Sequence, residues 1–432
     1  MPLLPRSLLR GAFVALAVTG ATLALRAADP AFDPVAATEK IMAQLPAEAR
    51  AKSDAYFEGG YWILLWDVVV TVGLTALLYR LGVYTRLRTL AEGVTKSRVV
   101  HGLVFLTLLV LVGWVVNLPW DYYTGFVREH QYGLSNLSLG GWLKERATAL
   151  IPGLIIALFL GSLLYLAIRR SPGRWWIRAA IATPFFMVFL FALSPVFISP
   201  LFNRYTPLTD AKIRDPILSL ARANGVPVDN VYQFDASKQS KRISANVSGA
   251  LNTIRVSLND NLLTRCTPAE VQAVMGHELG HYVLNHVYEL VVYFSLLVGA
   301  GFWFVNSAFW WVQQRWGGSW GVRDITDYAG LPIILACFSV FMLFAEPVKN
   351  SIIRSNEVEA DIFGLNAARE PDAFAHVALQ LSEYRKMHPG PWEEILFFDH
   401  PSGYNRILMS MRWKAEHLND KPAAAPAGQA SQ

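Results

Sequence analysis

The stretch GHELGHYVLNH, residues 276–286, places two histidines four positions apart with a glutamate between them. Residues i and i+4 of an α-helix lie on one face, so His277 and His281 can offer two imidazole nitrogens to one metal ion. Glu278 is then placed to act as a general base, which is the arrangement of a zinc peptidase. The plainer alternative is an ordinary helix with a polar face.

The residues before this stretch carry a complete helix start signal. Thr267 is a suitable N-cap, Pro268 suits the first helical position, and Glu270 closes a capping box three residues after the cap. We therefore predict one helix that runs from here through residue 286.

A catalytic zinc site needs a third protein ligand and leaves the fourth position for water. One subclass takes a histidine further along the same segment after a glycine, but here Leu284 and Val287 occupy those positions. The segment SNEVEAD supplies a carboxylate instead. Glu357 could bind the ion, while Asp361, four residues on, fixes the tautomer of a histidine through its other ring nitrogen. The predicted ligands of one zinc ion per chain are His277, His281 and Glu357.

The composition indicates a membrane protein. Of 432 residues, 53% are hydrophobic and only 16% are charged, with a mean hydropathy of +0.31, whereas soluble proteins average about 25% charged residues. The net charge of +5 comes from basic residues beside apolar segments, which favours membrane-flanking loops over a nucleic-acid surface. With two cysteines and no CxxC motif, neither a disulfide framework nor a cysteine-based zinc site is indicated.

Seven apolar segments have about the length needed to cross a bilayer. They lie at about 8–26, 61–80, 100–120, 148–168, 176–198, 288–312 and 329–347. The first could equally be a cleavable signal peptide. Between the fifth and sixth, three short β-patterned runs predict a small sheet. The predicted fold is thus a mainly α, multi-pass membrane protein with a small α+β zinc metalloprotease domain.

We divide the chain into four parts. Residues 1–28 are a signal peptide or first transmembrane helix, and 29–199 form an N-terminal membrane region. Residues 200–418 form a zinc metallopeptidase domain that includes two transmembrane helices, and 419–432 are a Pro/Ala-rich tail predicted to be disordered.

From about residue 53 the chain resembles the CAAX prenyl protease 1 family, the integral-membrane zinc proteases of the a-factor-converting type. The matching motifs, in order, are LPWDYYTGFVREHQYGLSNLSLGGWLKE, ISPLFNRYTPL, GHELGHYVLNH, IIRSNEVEADIFG and DHPSGYNRI. The resemblance implies a chamber enclosed by the membrane helices, zinc on the three ligands named above, Glu278 as base and Asp361 behind a ligand.

The resemblance also implies roles for residues outside the zinc motifs. His400 falls where the family has a histidine that contacts substrate or oxyanion, although it could be a surface histidine before a proline turn. Arg354 and Arg406 fall on basic motif positions and are possible substrate contacts. The family often opens a substrate-pairing edge strand with Asn-Ala, whereas this chain has Ala245 and Asn246 in the shifted order Ser-Ala-Asn.

The predicted function is zinc-dependent peptide hydrolysis in a membrane, in which the metal acidifies water and Glu278 takes its proton. The partners are a peptide or protein substrate, lipidated or otherwise hydrophobic, and the bilayer, with no nucleic acid. The alternative from another class is a non-catalytic zinc-binding transporter or assembly factor. A site-2-type intramembrane protease is disfavoured because the chain has no Asp-Gly pair to supply its third ligand.

Two arguments about sidedness disagree. Basic residues cluster in two short loops, one with Arg80, Arg86, Arg88, Lys96 and Arg98, the other with Arg169, Arg170, Arg174 and Arg178. The positive-inside rule makes both loops cytoplasmic and places the zinc site outside the cytoplasm, but the resemblance implies a site that opens toward the cytoplasm. The membrane would be the inner membrane of a prokaryote or the endoplasmic reticulum of a eukaryote.

Overall fold

The computed structural model describes residues 32–249 and 254–419. The first predicted apolar segment, at 8–26, and all but the first residue of the tail lie outside this part of the chain. Within it, six helices are long and apolar enough to cross a membrane, and they match the six remaining predicted segments. Their bounds are Ala47–Arg80, Arg98–Gln131, Leu139–Arg170, Trp175–Phe202, His286–Trp320 and Tyr328–Ala368.

These helices are longer than a bilayer requires. The span Ala47–Arg80 has 34 residues, or about 51 Å at 1.5 Å per residue, against a hydrocarbon core of about 30 Å. The helix ends therefore project beyond the apolar layer, where they can carry polar groups.

The last span corrects one expectation. We predicted a span ending at residue 347 and a separate helical region after it, but Leu331–Ala368 is a single helix of 38 residues with Pro347 inside it. A proline removes only one backbone hydrogen bond, and the helix continues past it. We call this element the ExxxD helix, because its second half carries Glu357 and Asp361.

The helix that carries GHELGH begins as predicted. It covers Pro268–Val283, the Thr267 hydroxyl accepts from the Glu270 amide, and the Glu270 carboxylate accepts from the Thr267 amide. We call it the HExxH helix. It ends three residues earlier than we predicted, because Asn285 adopts a left-handed conformation with φ of 61° and the next helix starts at His286.

The polar region between the fourth and fifth of these spans contains a four-stranded sheet. Its strands are β1 (Tyr205–Pro207), β2 (Val231–Phe234), β3 (Ala245–Ser248) and β4 (Arg255–Asn259), in the order β1-β2-β4-β3. Strands β2 and β4 are parallel, and the other two pairs are antiparallel. The three longer strands were predicted and β1 was not, since its three residues are too few to show alternation. Strand β3 lies at an edge of the sheet, beside the HExxH helix.

The other helices are short. They are Pro34–Met42, Val83–Val94, Ala211–Ala223, Asp260–Arg265, Pro371–Gln380, Pro391–Phe397 and Gly403–Glu416. One apolar core joins the sheet, helix Ala211–Ala223 and the HExxH helix. A second apolar core joins the membrane helices at the ends that lie far from the sheet. The HExxH helix is thereby fixed between the sheet and the ExxxD helix.

Candidate metal centre

Three side chains from two helices converge at the predicted zinc site. The Nε2 atoms of His277 and His281 are 3.0 Å apart. Glu357 Oε2 lies 3.3 Å from the first of these nitrogens, and Glu357 Oε1 lies 3.5 Å from the second. The structure therefore brings together the three residues that the sequence singled out as ligands.

The geometry of these atoms fits a zinc ion. Ligand atoms about 2.0–2.1 Å from a tetrahedral zinc lie about 3.3 Å from one another, close to the separations found here. Glu357 Oε2 is buried between two imidazoles, with His277 Nε2 at 3.3 Å and His400 Nε2 at 3.2 Å, a cluster of ligand atoms that a bound cation would stabilise. Two imidazoles and one carboxylate also form a donor set that zinc prefers and leave one tetrahedral position free.

Asp361 fixes the first histidine. Its carboxylate is fully buried and accepts a hydrogen bond of 2.7 Å from His277 Nδ1. Arg406 binds the same carboxylate with two nitrogens, Nε at 2.9 Å and Nη2. The His277 ring is thus held with Nε2 directed at the metal position.

The second histidine also has a partner at its other ring nitrogen. His281 Nδ1 lies 2.9 Å from His286 Nδ1, and His286 is only 1% exposed. This contact depends on the left-handed conformation of Asn285, after which His286 lies beside His281. The sole sequence signal was an asparagine, a residue that tolerates the left-handed conformation.

Burial and neighbouring charges set the proton affinities of the HExxH side chains. Burial lowers the pKa of His281 to about 4, which leaves the ring neutral and able to donate a lone pair. Burial acts in the same direction on His277, but its hydrogen bonds to Asp361 and Glu357 outweigh that effect and raise its pKa to about 10. Burial raises the pKa of Glu278 to about 7, in the range that suits a group exchanging protons near neutral pH.

Glu278 faces a cavity of about 200 Å³ next to the metal position. His400 reaches the same place, with Nε2 3.2 Å from Glu357 Oε2 and Nδ1 2.8 Å from Asp399 Oδ1. The cavity is also lined by Ser244 and Ala245 of the edge-strand region and by Arg385, Arg406 and apolar residues of helix Pro371–Gln380. A peptide laid along this cavity would contact both the base and the edge strand.

The remaining predicted residues occupy different places. Ala245 lines the cavity, whereas Asn246 does not. Arg354 donates to the carbonyl of Glu394, at 2.8 Å, and to that of Phe398. Its guanidinium thus holds the segment leading to His400, and its role toward a substrate stays a prediction. Arg406 lines the cavity, and its guanidinium is bound to Asp361 and holds that carboxylate in place.

Taken together, long apolar helices and an HExxH helix joined to a carboxylate from a second helix define an integral-membrane metallopeptidase. Comparison with known families supports this class. Residues 207–411 match the model of peptidase family M48, and residues 34–204 match the CAAX prenyl protease N-terminal model, which has five membrane helices. The chain belongs to peptidase family M48.

Individual relatives agree with this assignment. The chain is 30% identical over 343 residues to CAAX prenyl protease 1 of Saccharomyces cerevisiae, covering 72% of each chain. It is 28% identical over 328 residues to the uncharacterized metalloprotease YhfN of Bacillus subtilis, covering 76% of this chain and 77% of the relative. The predicted membrane metalloprotease is thereby confirmed, and the non-catalytic alternative is not favoured.

A solved structure shares the fold. The crystal structure of Ste24p from S. mikatae superposes with a TM-score of 0.68 at 21% identity, covering 95% of this chain and all of that one. This likeness and the six described spans confirm a mainly helical, multi-pass integral membrane protein with a small sheet.

Proposed function

We propose that this chain is an endopeptidase that binds one zinc ion through His277, His281 and Glu357 and cuts hydrophobic or lipidated peptides near their C-termini. The observation that carries the proposal is the convergence of two imidazole nitrogens and one buried carboxylate on one point. Family M48 is a metallopeptidase family, which supports the metal and the reaction class.

The chain's own residues supply the acid–base chemistry. A zinc ion at this position would lower the pKa of water and polarise the scissile carbonyl. Glu278 accepts the proton of the attacking water and delivers it to the leaving amine. His400, which lines the same cavity as Glu278, donates a hydrogen bond to the oxyanion as the carbonyl becomes tetrahedral, a contact whose removal typically costs 100-fold or more in rate.

The substrate is held extended by the sheet. Strand β3 is at an edge, so its outer backbone groups can pair with a peptide as an added strand. Ala245, at the start of β3, lines the cavity next to Glu278. Pairing along β3 would therefore bring a peptide carbonyl to the metal and the base.

A hydrophobic substrate has room in the membrane region. An apolar cavity of about 640 Å³ lies among the six described spans, with side chains from every one of them in its lining. Several relatives are named CAAX prenyl protease 1, and an apolar cavity of this size suits a lipidated or strongly hydrophobic peptide end.

The decisive variant is Glu278→Gln, which keeps the size of the side chain but removes the base. Purified in detergent, it should retain about one zinc ion per chain by elemental analysis and lose cleavage of a hydrophobic model peptide by at least about 100-fold. Glu92→Gln, a change at a partly exposed ion pair with Arg323 at the other end of the molecule, is the matched control and should leave both properties intact. Cleavage by Glu278→Gln at the wild-type rate would refute the mechanism.

A further inference from the structure

Arg385 is a cation in the active-site cavity that the catalytic machinery does not use. Its side chain lines the cavity together with Glu278 and His400. The guanidinium has neither an ion pair nor a hydrogen bond with any other residue in the described ranges 32–249 and 254–419. The residue is partly buried, and this burial lowers the pKa of its guanidinium.

The carboxylates near Arg385 already have other partners. Asp361 is bound by Arg406 and His277, and Asp399 accepts from His400 at 2.8 Å. A third carboxylate of the region, Glu357, faces the metal position. Asp399 and Glu357 lie close enough to act on the charge of Arg385, but within the described ranges neither forms an ion pair with it, whereas Arg406, the other arginine in the cavity lining, is paired with Asp361.

The backbone around Arg385 is fixed on both sides. The Ser53 hydroxyl, at the start of the first described span, donates to the Arg385 carbonyl at 3.0 Å. Lys386 forms ion pairs with Glu58 and Glu393, and the carbonyl of the next residue accepts from the Tyr404 amide at 2.9 Å. A side chain on such a segment is held in place before any ligand binds, which lowers the entropic cost of binding.

We propose that Arg385 binds a carboxylate of the peptide substrate and so selects and positions the peptide for cleavage. This inference rests on the proposed function. A guanidinium matches a carboxylate with two parallel hydrogen bonds, and a desolvated charge without a partner is unfavourable unless a ligand completes it. Glu278 and His400 line the same cavity as Arg385, so a carboxylate bound there would belong to the peptide that is cleaved.

Two groups of a peptide carry this chemistry, the C-terminal carboxylate and an Asp or Glu side chain. Three versions of one hydrophobic peptide distinguish them, with the same residues around the cut. The first ends in a free acid, the second in an amide, and the third is an amide with one internal Gln changed to Glu. The kcat and KM of wild type are measured for all three in the zinc-loaded, full-length protein.

The wild type should cleave a carboxylate-bearing peptide about 10- to 100-fold better in kcat/KM than the neutral amide, the range expected for hydrogen bonds to a charged group. Whichever carboxylate gives the gain is the group that Arg385 binds. In Arg385→Gln the preference for the carboxylate-bearing peptide over the amide should disappear, mainly through KM. Arg385→Lys should keep part of the gain, because it retains charge without the planar fork.

Arg265→Gln is the matched control. Arg265 is a partly exposed arginine whose ion pair with Glu383 lies outside the cavity, and its variant should keep the full preference. The inference is overturned if wild type treats all three peptides alike, or if Arg385→Gln or, should that variant not fold, Arg385→Lys keeps the undiminished preference. Failure of the proposed function would look different, because wild type would then cleave none of the peptides.

Discussion

The Asp361 carboxylate binds two side chains at the metal centre, one histidine and one arginine. It accepts from His277 Nδ1 at 2.7 Å and binds the guanidinium of Arg406, and all three side chains are buried. Because Arg406 neutralises it, the carboxylate can stay ionised without solvent and still orient the imidazole. The zinc affinity of His277 should therefore depend on a residue that does not touch the metal.

We predict that Asp361→Asn weakens zinc binding by about 10- to 100-fold, the usual cost of losing such a supporting partner. The amide keeps the shape of the side chain but cannot neutralise Arg406 or stabilise the imidazole with a full charge. Competition with a chelator of known affinity measures the effect. Asp372→Asn removes an exposed ion pair with Lys414 and should leave zinc affinity unchanged. Equal affinity in the two variants would refute the role given to Asp361.

Helical periodicity explains which site residues the sequence could predict. His277 and His281 share a helix face by their spacing alone, and so do Glu357 and Asp361, so each pair could be identified locally. Arg385 could not, because it reaches the site through a turn whose path depends on tertiary contacts. The carbonyl partners of Arg354 could not be foreseen for the same reason, since they lie about 40 residues away in sequence.

At the level of elements, the metal centre depends on how closely two helices approach. The HExxH helix presents Gly276 to Gly364 of the ExxxD helix. A methyl group added at Gly364 would lie 2.7 Å from the backbone nitrogen of His277, and one at Gly276 would lie 3.0 Å from the Gly364 carbonyl oxygen. Only glycine permits this contact, which sets the distance between the histidines and Glu357.

We predict that Gly364→Ala separates the two helices and weakens both folding and metal binding. Overpacking of this kind typically costs about 1–3 kcal/mol, and the shift acts directly on the ligand distances. Thermal unfolding with and without zinc would show a lower midpoint and a smaller stabilisation by the metal. Gly73→Ala is the control, because nothing lies within 4 Å of the added methyl group, and it should be neutral or slightly stabilising. An unchanged zinc-dependent shift in Gly364→Ala would contradict the prediction.

The elements themselves were predictable to different degrees. Apolar runs of span length and a capping box are local signals, and both gave the right helices. The single helix Leu331–Ala368 was missed because Pro347 is read as a stop, although packing of this helix against the HExxH helix favours its continuation. Strand β1 was missed because its pairing with β2 is a tertiary contact between residues about 29 positions apart.

On the scale of the whole molecule, the metal centre and the basic loops lie at opposite ends of the membrane helices. Arg88 belongs to the first basic loop and forms an ion pair with Asp327, just before the last span. Arg169 belongs to the second basic loop, and its guanidinium stacks on the ring of Tyr328 at 4.6 Å. At the other end of the span that starts at Arg98, Glu129 forms an ion pair of 2.9 Å with Arg242, close to the edge strand. Both basic loops therefore face one side of the membrane, and the metal centre faces the other.

We predict that the metal centre faces away from the cytoplasm, because the positive-inside rule counts lysines and arginines in short loops and both basic loops are short. Fusions to the full chain test this in a bacterial host. Helix Gly403–Glu416 carries Arg406 at the metal centre, so a reporter fused to the C-terminus lies on the same side of the membrane as the metal centre. At that position alkaline phosphatase should be active and green fluorescent protein should not fluoresce. The same reporters fused after Lys96 should behave in the reverse way. A fluorescent C-terminal fusion with inactive phosphatase would instead place the metal centre in the cytoplasm, as the family resemblance implies.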